Sequence, residues 1–320
     1  MKIKNALYLP SGRIFLVDCG GYTIECTEMR DVSTSGKINE EVRTTNNPHI
    51  IWKHLVPYDD KWLLTVSTQK GCSYNCQFCS CGELPFAGNL TQQEIERQVE
   101  LILLNTPHVI SCKKVKIGFA RMGEPSHNID NVLRTIKNLP KISANYLRDF
   151  TWLPCFNSIL PISKPDTIDR VIEVKERDYN GLLHFQISCN STDEEKRKEL
   201  FGGANVVPLE EIVNKVNNIK ITNRTITLNF IVMKGVEVSV EKLKKMGLDK
   251  NKFTVKLIPL NQTPVGDANS LETFANYNNY EELEILKEQF ESNDIPVVID
   301  AIAKCEEAGL CCGQLAQIYQ

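Results

Sequence analysis

Trp62-Leu63-Leu64-Thr65-Val66-Ser67-Thr68-Gln69-Lys70-Gly71-Cys72-Ser73-Tyr74-Asn75-Cys76-Gln77-Phe78-Cys79 is the stretch that decides the fold. It opens with a short apolar strand, Leu63 to Ser67, and ends in a loop whose thiols are separated by three and then two residues. Thiolates are the usual ligands of iron–sulfur clusters, and this spacing lets one loop wrap three corners of a four-iron cube. Three ligands leave one iron open to a substrate or cofactor. The competing reading is a zinc site completed by Cys81. Structural zinc sites usually draw on two separated ligand pairs, whereas these thiols share one loop directly after a strand.

Outward from the loop, strand-like and helix-like segments alternate. Thr91 and Glu94 form a capping-box pattern opening a helix whose buried stripe is Ile95, Val99, Ile102 and Leu103. Val115 to Phe119, Phe150 to Leu153, Leu182 to Ile187, Thr225 to Met233, Phe253 to Ile258 and Pro296 to Ile299 read as strands. Helical patterns follow them at Ile129–Ile136, Ile168–Ile172, Leu209–Val216 and Leu283–Phe290. Repeated strand–helix units imply parallel strands with right-handed crossovers. The expected fold class is α/β: a partial, open (β/α)6 TIM-like barrel over residues 61–320. In such folds chemistry gathers on loops after the C-terminal ends of strands, and the cysteine loop is one of these. Residues 1–60 read as a small β-rich N-terminal unit, with Ile14–Val17 and Tyr22–Ile24 flanking a Gly20-Gly21 hairpin turn. Cys19 and Cys26 lie around this turn without facing each other, as packing thiols. Asp31 to Asn47 is polar and irregular.

The chain has 320 residues, 42% hydrophobic and 24% charged, with a formal net charge of −3. That composition excludes a disordered tail or a fibrous repeat, and the near-balanced charge supplies no global field for nucleic acid. The densest basic run, Lys242, Lys244, Lys245, Lys250 and Lys252, reads as a solvated helix and its following loop. No apolar run approaches the ~18 residues of a membrane span, and no stretch of secretory length follows the start. A cytoplasmic protein with no membrane partner is expected. Twelve cysteines without a secretion signal argue against a disulfide scaffold.

The Cys-x3-Cys-x2-Cys loop after a first barrel strand, with aromatic Phe78 before its third cysteine, resembles the radical S-adenosylmethionine (SAM) superfamily. The resemblance narrows to the radical SAM methyltransferases acting on adenosine carbon-2 or carbon-8 of 23S ribosomal RNA. It is carried by Ser67–Cys72, Phe86–Thr91, Met122-Gly123-Glu124-Pro125, Ile187-Ser188-Cys189-Asn190, Leu257–Asn261 and Cys312-Gly313-Gln314-Leu315-Ala316, in the same order throughout. It implies a [4Fe-4S] cluster on Cys72, Cys76 and Cys79 and SAM on the open iron. An electron donor such as flavodoxin or ferredoxin and an RNA substrate are implied as partners. It also implies that Gly123 and Glu124 hold the amino group of SAM, where a carboxylate suits an ammonium. Ser188 and Asn190 would meet its ribose or carboxylate, Asn261 its adenosine portion, and Phe78 belongs to the cofactor site. Cys312 would take a methyl group as a thiolate.

Two features depart from that pattern. The family's resolving cysteine, seven positions before the first cluster cysteine, is Thr65 here, and its glutamate base falls at Trp52, with Glu40 and Glu41 nearby. Cys311, Cys81, Cys189 and Cys155 are the candidate thiols to replace the resolver. Cys155 also stands where the family has a SAM-contacting serine. Weaker candidates are His127 as an acid or base, the Cys305-Glu306-Glu307 loop, and Trp52 and Tyr58 as stacking aromatics, each with a bland packing or solvation reading beside it. Three functions follow: methyl transfer through Cys312 onto adenosine in RNA, direct hydrogen abstraction from a peptide, nucleotide or small metabolite, and a non-catalytic cluster- or zinc-binding module. The first requires methylated Cys312, the second 5′-deoxyadenosine without it, and the third intact SAM under strong reductant.

Overall fold

The computed structural model describes residues 1–31, 55–274, 281–300 and 312–319. Contacts divide the chain into two compact units, one of 1–73, 80–156 and the C-terminal segment, the other of 74–79 and 157–302.

The first unit starts with an antiparallel meander, β1 (Lys2–Tyr8), β2 (Gly12–Cys19) and β3 (Tyr22–Arg30). The expected hairpin is β2–β3: Cys19 lies opposite Tyr22 and Cys26 opposite Phe15, so the two thiols do not meet. Both are buried. Burial, aided by Glu94, pushes the Cys19 thiol up to about 12. β1 is not legible in the sequence because it is an edge strand with mostly exposed residues and little apolar alternation to reveal it.

β3 pairs antiparallel with β4 (Trp62–Thr65), so the N-terminal strands continue the sheet of the first barrel strand. Beyond β4 lies a small antiparallel pair, β5 (Gln69–Lys70) with β6 (Gly88–Asn89). β4, β7 (Ser111–Gly118) and β8 (Arg148–Ser158) then run parallel. Helix α1 (Gln92–Asn105) opens with the expected Thr91–Glu94 capping box and buries Ile95, Val99, Ile102 and Leu103. Its Gln98 exchanges two hydrogen bonds with the backbone of Ser67, at 2.8 and 3.0 Å, which fixes the end of β4 and the start of the cysteine loop. Helix α2 (Ile129–Ser143) packs against α1.

In the second unit β9 (His184–Ser188), β10 (Ile226–Val232), β11 (Phe253–Pro259) and β12 (Val297–Ile299) are all parallel. Helices α3 (Thr167–Tyr179), α4 (Glu194–Leu200), α5 (Leu209–Asn217), α6 (Val240–Lys245), α7 (Pro264–Ala268) and α8 (Glu281–Glu291) belong to it. One face of this sheet is the usual apolar layer, with Phe185, Ile187, Leu228, Phe230, Val255 and Leu257 fully buried. The other is polar: Gln186, Ser188, Thr227, Asn229, Thr254 and Lys256 share it by register. A parallel sheet covered on both sides ordinarily reads apolar throughout, so this polar face is a departure from that pattern. Among the described residues no helix is long and apolar enough to cross a membrane.

Candidate active site

The cysteine loop is anchored in each unit by the residues that surround it there. In the first unit Gln69 acts as a hub. Its side chain is buried and its Oε1 accepts from Ser73 N (3.1 Å), Ser73 Oγ (3.2 Å) and Glu124 N (2.9 Å). Its Nε2 donates to Asn89 Oδ1 at 2.7 Å. One amide thus ties the residue after Cys72 to the Gly123-Glu124 turn. Gly123 has φ 97°, and a Cβ there would lie 2.5 Å from Gln69 Cβ, so the turn and the loop approach at a distance only glycine permits. Glu124 is buried, and its Oε1 accepts from Ser126 N (3.1 Å) and Oγ (2.5 Å). That places a carboxylate just beyond the strand end. His127, beside it, donates its backbone N–H to Glu124 O.

In the second unit Gln77 N donates to Leu200 O at 2.9 Å and Cys79 N to Cys76 O at 3.0 Å. Phe78 packs with Phe201, ring centroids 6.3 Å apart, and touches the clusters around Ile159 and Leu260. Thr263 and Asn269 bond the carbonyls of Phe78 and Gln77. Cys72, Cys76 and Cys79 are all half-buried thiols, reachable yet partly shielded. Among the described residues no three His, Cys, Asp or Glu side chains surround a single metal ion. A cube does not ask for that, because each thiolate binds its own iron at a separate corner. Three thiols on one anchored loop fit such a group by the chemistry of the donor set.

Ser188 and Asn190, the residues expected at SAM, lie in the second unit. Ser188 Oγ donates to Asn157 Oδ1 at 3.2 Å and stands in register with Asn229. Asn190 sits at φ 61°, where asparagine is enriched among non-glycine residues, and its Oδ1 accepts from Ile231 N at 3.1 Å. Asn190 Nδ2 and Asn229 Oδ1 are buried without hydrogen-bond partners. Such orphaned groups cost about 1–3 kcal/mol each when left unsatisfied, and the hydroxyls and carboxylate of SAM fit them. Asn229 is not singled out by the sequence; its inward place in β10 needs the strand register to be seen. Asn261 is half-buried just after β11.

Cys312 belongs to the first unit. It is half-buried and stands one residue before the N-cap of helix α9 (Gln314–Ile318). Its Sγ is 3.8 Å from Arg121 Nη1 and 3.6 Å from Ala120 O. Arg121 Nη2 pairs with Glu25 Oε2 at 2.6 Å, and both side chains are buried. Glu25 also accepts from Gly313 N at 3.2 Å and Ala316 N at 2.7 Å. Burial would lower the Arg121 pKa, but Glu25, Cys312 and Cys81 raise it and prevail. Removing one partner of such a pair typically costs about 3–5 kcal/mol, because a buried charge is left uncompensated. Gly313 has φ 85°, and its missing Cβ would fall 2.8 Å from Cys81 Sγ, so Cys81 abuts the segment bearing Cys312. Neither Glu25 nor Arg121 is singled out by the sequence, since no spacing links a hairpin, a strand end and the C-terminal segment.

The remaining candidates divide. Thr65 Oγ1 bonds Thr27 Oγ1 at 2.6 Å, a hydroxyl pair across β3 and β4. Cys155 is buried in β8, and Cys189, buried in the second unit, has its thiol pushed up to about 12 by burial first of all. Tyr58 packs edge-on to Trp62 and bonds Glu28, which is the packing role. Lys242 pairs with Glu237 and Lys250 with Asp294, so this run is partly neutralised. Asp31 keeps a place among the described residues, but the rest of the polar stretch, Glu40, Glu41, Trp52, Cys305, Glu306, Glu307 and Cys311 lie outside them.

Comparison with known proteins agrees with this geometry. A relative from Bacteroides fragilis, named a probable dual-specificity RNA methyltransferase RlmN, is 27% identical over 268 residues, covering 81% of this chain and 71% of the relative. One from Aquifex aeolicus with the same name is 28% identical over 226 residues, covering 69% of this chain and 62% of its own. The crystal structure of a radical SAM methyltransferase from Sphaerobacter thermophilus superposes with a TM-score of 0.67 at 18% identity, over 98% of this chain and 80% of that one, and so shares the fold. The Radical SAM superfamily model matches residues 66–259, from the end of β4 to the end of β11, and with it the cysteine loop, the Gly-Glu-Pro turn and the polar strand ends. The chain therefore belongs to the Radical SAM superfamily and is an enzyme that uses a [4Fe-4S] cluster and SAM.

Proposed function

We propose that the protein is a methyltransferase that carries the methyl group on Cys312 and delivers it to an adenine carbon in RNA; its curated relatives are named RNA methyltransferases. The observation that supports this best is the Cys312 corner: a half-buried thiol held against a buried cation in a position that depends on the folded C-terminus. Cys72, Cys76 and Cys79 would hold the cluster, and Glu124, Asn190, Ser188 and Asn261 would bind SAM. Phe78 would wall the loop, and Gly123 would give room for the amino acid end. The cluster supplies one electron to SAM when both are bound, and a flavodoxin- or ferredoxin-like donor would restore it. Cys312 as a thiolate takes the methyl group, since the thiolate is the nucleophilic form. β3 contributes Glu25 to this corner.

The test is the carrier itself. Protein isolated without oxygen from iron-supplied cells should yield a Cys312 peptide heavier by one methylene group. An unmodified Cys312 in cluster-replete protein exposed to SAM would sink the carrier and favour direct hydrogen abstraction, the reading that Thr65 in the resolver position supports.

A carrier joined to its product needs a second thiol to release it. Among the four candidate thiols, Cys81 is the one beside the Cys312 segment among the described residues. Cys81→Ser should therefore stall turnover and accumulate a nuclease-sensitive protein–RNA adduct visible on denaturing gels, whereas Cys189→Ser should not. Normal turnover in Cys81→Ser removes Cys81 from the mechanism.

A further inference from the structure

We propose that Arg121 is a positioning residue that holds Cys312 as a thiolate, and that Glu25 of the N-terminal hairpin sets how strongly it does so. The proposal rests on the carrier reading for its purpose, but its geometry and its test stand apart from methyl transfer. Arg121 directs its two terminal nitrogens at two different groups: Nη1 to Cys312 Sγ at 3.8 Å and Nη2 to Glu25 Oε2 at 2.6 Å. A guanidinium does not deprotonate in proteins, so the cation is permanent. A fixed cation beside a thiol favours the thiolate.

Two groups oppose it. Ala120 O, 3.6 Å away, accepts the proton of the neutral thiol, but S–H is a weak donor and the contact is worth less than a charge-assisted one. Glu25 partly neutralises the cation, yet it pairs with Nη2, not with the Nη1 that faces Cys312. Among the described residues, Cys81, from the turn Ser80–Glu83, and Cys26, from β3, also lie near Arg121. Both are buried, and burial holds the Cys26 thiol in its neutral form. Glu25 also bonds Gly313 N and Ala316 N, so the hairpin, the strand-end loop and the carrier segment are joined through one carboxylate.

The two charged residues make opposite predictions, which a purely structural role would not. The unmethylated fraction of the full-length reduced protein, identified by the mass of its Cys312 peptide, is followed by mass spectrometry as it is alkylated in iodoacetamide pulses across a pH series. Arg121→Met should move the rate profile to higher pH and slow alkylation at neutral pH by about tenfold or more, the change that one unit of thiol pKa produces. Glu25→Gln, which keeps an acceptor oxygen but no charge, should move the profile to lower pH and speed alkylation. Arg121→Lys should restore most of the wild-type profile. Shifts in the same direction for Arg121→Met and Glu25→Gln, or an unmoved midpoint, overturn the proposal.

Because each single variant leaves a buried charge, the double variant Arg121→Met with Glu25→Gln is the third arm, being neutral at the corner. Its profile should lie above that of the wild type, and a superimposed profile overturns the proposal. The outcome is separable from the carrier reading. A Cys312 that is methylated on exposure to SAM but whose alkylation profile beforehand ignores Arg121 defeats this proposal alone, and a shifted profile on a Cys312 that is never methylated defeats the carrier alone.

Discussion

Cys312→Ala is expected to abolish methylated product, by on the order of a thousandfold or more, while leaving the cluster and cleavage of SAM to 5′-deoxyadenosine in place. A loss of that size is what removing an essential nucleophile produces. The cluster should survive because Cys312 sits in the corner formed by Arg121, Glu25 and Gly313, separate in sequence from the cysteine loop. Folding should survive too, since the side chain is half-buried and its replacement removes one sulfur. The measurement is parallel: iron and sulfide content, 5′-deoxyadenosine by chromatography, and methylated adenine in RNA by mass spectrometry. Retained methylated product in Cys312→Ala rules out Cys312 as the carrier.

The second large effect is expected for Cys76→Ala. Removing one of three thiolates leaves a cube without enough protein ligands, so the variant should purify colourless, with little iron or sulfide. It should produce neither 5′-deoxyadenosine nor methylated RNA. Thermal stability should change little, because Cys76 is half-buried at the edge of the Ile159 cluster and the loop is held by hydrogen bonds to Leu200 O and from the Thr263 and Asn269 side chains. The contrast with Cys312→Ala is the informative part: one variant loses both reactions, the other only the second. Stoichiometric zinc in the wild type, lost in Cys76→Ala and Cys81→Ala alike, would instead revive the all-sulfur zinc site.

Much of the fold is legible in the order of the amino acids. The Thr91–Glu94 capping box announces α1 and is present with both of its hydrogen bonds, because capping depends only on neighbours three residues apart. The buried stripes of α1 and α2 and the apolar runs of β9, β10 and β11 follow from local periodicity. Helix α4 is not legible in the same way, because Glu194–Leu200 is short and charged, with few apolar residues to set a period. Its place depends on Arg197, buried and bonded to Val207 O beyond the helix as well as to Glu194 within it.

The candidate site divides along the same line. Cys72, Cys76 and Cys79 are fixed by spacing within one loop, and Gly123-Glu124 by its place after a strand, so the sequence by itself determined the family, the cofactors and the residues available to hold them. What surrounds Cys312 was decided by tertiary structure alone. Glu25, Arg121, Cys81 and Gly313 come from a hairpin, a strand end, a short turn and the C-terminal segment, and their shared corner is a product of long-range packing. The same is true of Gln69 and Asn229, whose polar atoms gain meaning only from strand register and burial. Local chemistry is written in nearest-neighbour spacing, whereas the electrostatics of a buried charge depend on which distant segments exclude water around it.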